Sequence, residues 1–188
     1  MEEIIDYKGY KINIKQFTSP DDPRSWDNMY SMYCVHRRYN LGDKNFSSSA
    51  ELMDAIGNLE DCIHLPLYLY DHSGITMNTT GFSCQWDSGQ VGIIFITKEK
   101  AMKEFGWDSL DEERIQRIKD IMVADVDLYD TFIRGDVYGY EVENPDGVEI
   151  DSCWGYYGYN HEESGLIENA KSAIDFYINS NLSSGSNI

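Results

Sequence analysis

The order of hydrophobic and polar positions changes period several times along this chain, and each change predicts an element. Tyr10, Ile12 and Ile14 alternate with Lys11, Asn13 and Lys15, the period of two of a strand with one buried face. IIDY before them is a second apolar run, and Lys8-Gly9 between the two is a loop in which Gly accepts the positive φ of a tight turn. An N-terminal β-hairpin over residues 3–16 is expected. The period then lengthens. Asp22 is placed to cap a helix starting at Pro23, with Trp26, Met29, Tyr30, Tyr33 and Arg37 at helical spacing. Ser48-x-x-Glu51 forms a capping box for a short helix bearing Leu52, Ala55, Ile56 and Leu59.

Strands return in the middle. IHLPLYLY (63–70) reads as an edge strand because of Pro66, FSCQW (82–86) as a further strand, and VGIIFIT (91–97) as a central one, apolar on both faces. Ser109-x-x-Glu112 boxes a long helix whose stripe is Ile115, Ile118, Met122, Val126, Tyr129 and Ile133, stopped at Gly135. YGYEVE and VEIDSCW pair across NPDG as a second hairpin, and a last helix buries Leu166, Ile167, Ala170, Ile174, Tyr177 and Ile178. The pattern predicts an α+β fold: a mainly antiparallel sheet, an N-terminal β-hairpin and three or four helices.

Composition adds the scale. The 188 residues are 41% hydrophobic and 13% aromatic, enough for one core. One domain over residues 1–179 is expected, with SNLSSGSNI (180–188) as a disordered tail. Cys34, Cys62, Cys84 and Cys153 form no C-x-x-C pair, so reduced thiols fit better than a zinc site or a disulfide framework. The N-terminus lacks the basic start and apolar stretch of a secretory signal, and no apolar run is long enough to span a bilayer, so the cytosol is the expected compartment.

Charge changes the picture most. The formal net charge is −18, yet residues 1–50 balance at seven basic and seven acidic residues. Between Asp120 and Asp151, ten acids face a single Arg. Such a field disfavours autonomous binding to nucleic acid, where affinity comes from Lys and Arg displacing counterions. It favours a basic partner surface, with Asp136, Glu141, Glu143 and Glu149 as docking acids.

Three groups of residues carry candidate chemistry. Asp71, His72 and Asp87, at expected strand ends, form a set able to hold a divalent metal or run acid–base chemistry on a phosphodiester, with Asp151 as a further carboxylate. The competing reading makes them turn residues whose side chains bond nearby backbone amides. No metal ligand set is assigned, and the cofactor stays open. His36, Arg37 and Arg38 are the one compact basic cluster, suited either to a helix C-terminus or to a phosphate or acidic partner. In the N-terminal hairpin, Lys8, Lys11 and Lys15 offer amines and Tyr7 and Tyr10 offer rings for RNA contact; the alternative is an edge whose lysines deter aggregation. Gly-rich phosphate loops, G-x-S-x-G and H-E-x-x-H are absent.

The strings SPDDPRSWDNMYSMYCVHRRYNLGD (19–43), YDHSGITMNTTGFSCQWDSGQVG (70–92) and EIDSCWGYYG (149–158) resemble a family of small proteins carried by phages, plasmids and integrative elements of bacteria. Some relatives are anti-CRISPR proteins, and the hairpin followed by these strings resembles an inhibitor of type II CRISPR nucleases that causes truncation of the guide RNA. The resemblance implies an antidefence role, with a type II effector nuclease and its guide RNA as partner in the bacterial cytosol. Acidic DNA mimicry without catalysis is the alternative.

Overall fold

Lys8 and Gly9 both take positive φ, 54° and 82°, as a two-residue hairpin turn of the primed type requires. They join β1 (Glu3–Tyr7) to β2 (Tyr10–Gln16), as the alternation predicts. The computed structural model describes residues 3–84 and 86–184. In chain order the remaining strands are β3 (Ser31–Cys34), β4 (Lys44–Asn45), β5 (Cys62–Asp71), β6 (Ile75–Asn78), β7 (Ser88–Thr97), β8 (Val137–Glu143) and β9 (Glu149–Tyr157). The helices are α1 (Ser49–Ile56), α2 (Lys98–Phe105), α3 (Glu112–Ile133) and α4 (Leu166–Ser184). The fold is α+β, with mainly antiparallel sheets. No described helix is long and apolar enough to cross a membrane.

The chain divides into two compact units: Met1–Asp21 with Gly135–Ile188, and Asp22–Arg134. The helical pattern also continues beyond the expected boundary, since α4 runs to Ser184. Positions 185–188 of the expected tail lie outside the described residues.

The first unit is an antiparallel sheet in the order β1-β2-β8-β9, with α4 on one face. Ile12, Ile14, Tyr140 and Val142 pack there against Leu166, Ala170 and Ile174. Strand alternation turns Lys11, Asn13 and Lys15 to the opposite face, beside Glu143, Glu141 and Gly139 in register.

The second unit has the sheet order β4-β3-β7-β5-β6, antiparallel except between β3 and β4. Ile94 and Ile96 of β7 face the cluster built on Ile118, Met122, Val126 and Tyr129 of α3. Ile93 and Phe95 face Leu52 of α1 and the aromatic rings of Tyr33 and Phe46. Both faces of β7 are therefore buried, which explains why its sequence is continuously apolar.

Several expectations fail for local reasons. The helix expected from Pro23 is only a 3-10 turn at Pro23–Ser25. Residues 31–34 instead pair with β7, because Tyr30, Met32 and Cys34 also fit a period of two, and the sheet buries all three. β5 is not an edge strand along its whole length: β7 pairs with it throughout and β6 along Tyr68–Asp71. Pro66 sits in the stretch that β6 does not reach, which is locally an edge. FSCQW forms no strand in its described residues, and β6 arises earlier, at ITMN. Asp111, not Ser109, caps α3 by accepting from Arg114 N at 2.8 Å. Ser48 caps α1 as expected, with Glu51 N donating to Ser48 Oγ at 3.2 Å, while the Glu51 carboxylate accepts from Ser47 N at 3.1 Å and not from Ser48 N.

Gly92 shows how tightly β7 is built in. A Cβ there would stand 2.2 Å from the carbonyl oxygen of Tyr33 and 3.0 Å from Cys34 Cα, whereas at Gly89 it would meet nothing. Gly92→Ala is expected to destabilise the protein by about 1–3 kcal/mol, and Gly89→Ala by well under that. Urea unfolding of both variants checks the difference; equal midpoints would contradict this packing.

Candidate functional site

The string that opens the second unit folds around a buried cation. Asp22 accepts from Arg24 N at 2.8 Å and fixes the 3-10 turn, which points the Arg24 side chain inward. Its guanidinium is only 3% exposed. Nε donates to Asp43 Oδ1 at 2.7 Å, and Nη2 donates both to Asp43 Oδ2 and to the carbonyl of Tyr30. The same carboxylate accepts from Met32 N at 2.7 Å. One residue earlier, Gly42 N donates to the hydroxyl of Tyr129 on α3. These bonds clamp the far end of the loop that leaves β3.

Its near end is held as firmly. Asn45 accepts from His36 N at 3.0 Å through Oδ1 and donates to His36 O at 2.9 Å through Nδ2. His36 Nδ1 then accepts from the backbone of Arg38 and of Tyr39, at 3.3 and 3.2 Å. The His36 ring stacks on Tyr39, with centroids 5.0 Å apart and planes inclined by 15°. Burial pushes the His36 pKa below its ordinary value, against a smaller upward pull from Asp71. A neutral ring suits an acceptor role. This basic cluster therefore lies in an ordered loop after a strand, not at the helix end expected.

The loop joins the other sequence-selected group directly. Arg38 donates to Asp71 Oδ2, its guanidinium lies over the Tyr39 ring, and the Tyr39 hydroxyl reaches Asp71 Oδ1 at 3.4 Å. Across the start of β7, Asp71 N donates to Asp87 O at 2.8 Å, while His72 Nδ1 stands 3.3 Å from Asp87 Oδ2. Cys84 Sγ lies 3.7 Å from that same oxygen. Asp71, His72 and Asp87 thus converge with Arg38 at one end of the sheet. Neither carboxylate makes the side-chain-to-backbone bond of the turn reading among the described residues; both bind other side chains. Among the described residues no three His, Cys, Asp or Glu side chains are grouped so as to hold a metal ion. Asp71 is occupied by a cation and a phenol, and Asp151 accepts from Tyr140 within the other unit. What remains is an acid–base pair, with Asp87 at one nitrogen of a mostly exposed His72.

Two clefts share His36 and Arg38 as walls. One, about 870 Å³, runs from Arg37 and Arg38 to Ser47, Ser48 and Ser49. The other, about 350 Å³, is closed by Asp71, Asp87 and Trp86. Trp86 is 96% exposed, and nothing in the hydrophobic pattern singled it out. Arg24, Asp43 and Asn45 were missed as well. Arg24 and Asp43 pair across 19 positions, which leaves no periodic signal in the sequence.

The five residues proposed for RNA contact do not form one surface. Lys8 pairs with Asp175 at 2.7 Å and Lys15 with Glu141 at 2.5 Å. Tyr7 and Tyr10 belong to the cluster on the α4 face, opposite Lys11 and Lys15. The docking acids scatter too. Asp120–Asp130 lie on α3 in one unit and Asp136–Asp151 in the other, and Glu141 is ion-paired. Asp136 and Glu143 are both half-buried, and Glu149 is exposed beside the β8–β9 turn.

Burial also lowers the pKa of His64, whose Nδ1 is enclosed without a hydrogen-bond partner among the described residues. A histidine held neutral by the fold takes up its proton more readily when unfolded, so its contribution is present above 6.5 and is lost as pH falls below it. Asp125 and Asp127, whose carboxyls burial raises, act in the opposite sense at lower pH. Melting temperature is expected to fall as pH passes down through 6.5, and to fall less in His36→Asn, which keeps an acceptor for the loop amides. Calorimetry across that window checks this; an unchanged slope in the variant would show that His36 does not couple to folding.

No family model, no curated protein and no solved structure matches this chain.

Proposed function

We propose that this protein works by binding, with the tip of the β8–β9 hairpin docked on a basic protein surface that ordinarily holds nucleic acid. The observation that carries this reading is the trio Glu143, Asp146 and Glu149, which flanks one turn and has no ion-pair partner among the described residues. Three carboxylates at and beside one hairpin turn, with no ion pair among the described residues, raise the local negative potential, speed encounter with a cationic surface and fix orientation on it. The formal charge of −18 adds to the same field.

The sequence resemblance supplies the class of partner: a type II RNA-guided DNA nuclease carrying its guide RNA, whose heteroduplex channel is basic. On this reading the protein is an anti-CRISPR factor of a mobile element acting in the bacterial cytosol, and loss of guide function through RNA truncation is its outcome. Acidic DNA mimicry without covalent chemistry is the second reading. It is favoured by the ion pairs of Lys8 and Lys15, which neutralise the amines an RNA contact would use.

Incubation with a guide-loaded type II nuclease, followed by electrophoresis of labelled guide and target DNA, tests both. Shortened guide only when the nuclease is present supports truncation, and intact guide with blocked DNA cleavage supports mimicry. Unimpaired cleavage with intact guide overturns the proposal. Glu143→Lys, Asp146→Lys and Glu149→Lys together are expected to weaken association roughly tenfold at low salt and to flatten its salt dependence.

A further inference from the structure

We propose that the end of the second unit's sheet binds a nucleoside phosphate, with the phosphate on Arg37 and Arg38 and the base against Trp86. The proposal uses only residues of Asp22–Arg134 and stands apart from the acidic hairpin of the other unit.

Arg37 supplies the cation. It is exposed, and it has no hydrogen bond, ion pair or ring contact among the described residues, in a protein where acids outnumber bases 33 to 15. Most other cations here find a carboxylate, a carbonyl or a ring, as Arg24, Arg38, Lys44, Lys98 and Lys100 do in the same unit. Yet the backbone on both sides of Arg37 is held, by Asn45 at His36 and by the His36 ring at Arg38 and Tyr39. Holding a loop this firmly costs conformational entropy. With the backbone already fixed, only the Arg37 side chain is left to be ordered on binding an anion, and its fork suits phosphate oxygens.

The second observation is independent of charge. Trp86, 96% exposed, gives up the burial that a tryptophan ordinarily has, and it lines the cleft that shares His36 and Arg38 with the cleft of Arg37. An exposed indole beside a guanidinium-lined cleft offers a stacking surface next to a phosphate seat, the pairing that single nucleotides need. The acids present set the size of the ligand. Asp71 already neutralises part of Arg38, Asp87 lines the Trp86 cleft, and Glu51 reaches the Ser47 amide at the far wall of the other. Each extra phosphate would meet this field, so one phosphate and one base fit, and an extended polyanion does not. Free nucleotides and the terminal nucleotide of an RNA share this chemistry.

Isothermal titration of the full chain with AMP, UMP, inorganic phosphate and a short single-stranded RNA bearing a terminal phosphate tests the proposal. Saturable binding of AMP or UMP is expected, weakened about tenfold or more by Arg37→Ala, as loss of a charge-assisted contact implies. Trp86→Ala is expected to weaken nucleotide binding while leaving inorganic phosphate unaffected. Binding of the RNA alone would assign the site to an RNA end; binding of mononucleotides would assign it to free nucleotides. Both side chains are exposed, and matching melting temperatures establish that the variants are folded; Arg37→Lys, which keeps the charge but loses the fork, provides an intermediate. Absence of heat with every ligand at millimolar concentration, or parental affinity in Arg37→Ala or Trp86→Ala, would overturn the proposal.

Discussion

The guanidinium of Arg24 ties together three segments that would otherwise have no reason to meet. It is 3% exposed and forks onto Asp43 while holding the carbonyl of Tyr30. Asp43 in turn holds the amide of Met32. The 3-10 turn, the start of β3 and the end of the following loop are thereby locked in one arrangement. Removing one member of such a pair leaves a desolvated charge, at a cost of about 3–5 kcal/mol, so the arrangement is specified as well as stabilised. The loop between β3 and β4 depends on it. Its first residues are fixed by Asn45 and its last by Arg24 and Tyr129, and the cationic segment is presented between these two anchors.

From that constraint the end of the sheet follows. Arg38 and Tyr39 reach Asp71 at the end of β5, Asp71 meets Asp87 at the entrance of β7, and Asp87 meets His72. Two residue groups that looked unrelated in the sequence become one network of ion pairs and rings, with Arg37 and Trp86 outside it and facing solvent. The other unit handles charge differently. It pairs Lys8 with Asp175 of α4 and Lys15 with Glu141 of β8, and leaves carboxylates at the β8–β9 turn.

The regular elements were legible where one periodicity dominated. The alternation from Tyr10 to Lys15, the stripe of α3 and the apolar run of β7 each had a single consistent solution. Residues 22–37 were not legible, because Met29, Tyr30, Tyr33 and Arg37 fit a helix as well as Tyr30, Met32 and Cys34 fit a strand. A partner strand 58 or more positions away decided the matter, and no local pattern contains it. Of the candidate site, the residue types were visible in HRRYN and DHSG, but their meeting was not. It rests on Arg38 to Asp71 and on Arg24 to Asp43, contacts between positions with no periodic relation. The ion pairs of the N-terminal hairpin's lysines were hidden for the same reason, since Asp175 and Glu141 are remote in sequence.

The account stands on the loop from His36 to Asp43 being an ordered platform and not a mobile connection. Amide hydrogen exchange reads this directly, because Arg38 and Tyr39 donate to the His36 ring, Gly42 to Tyr129 and Asp43 to Met32 O. Those four amides are expected to exchange as slowly as the amides of β3 that pair with β7, in the same cooperative opening. Exchange at the rate of an unstructured peptide, with β3 still protected, would contradict the account.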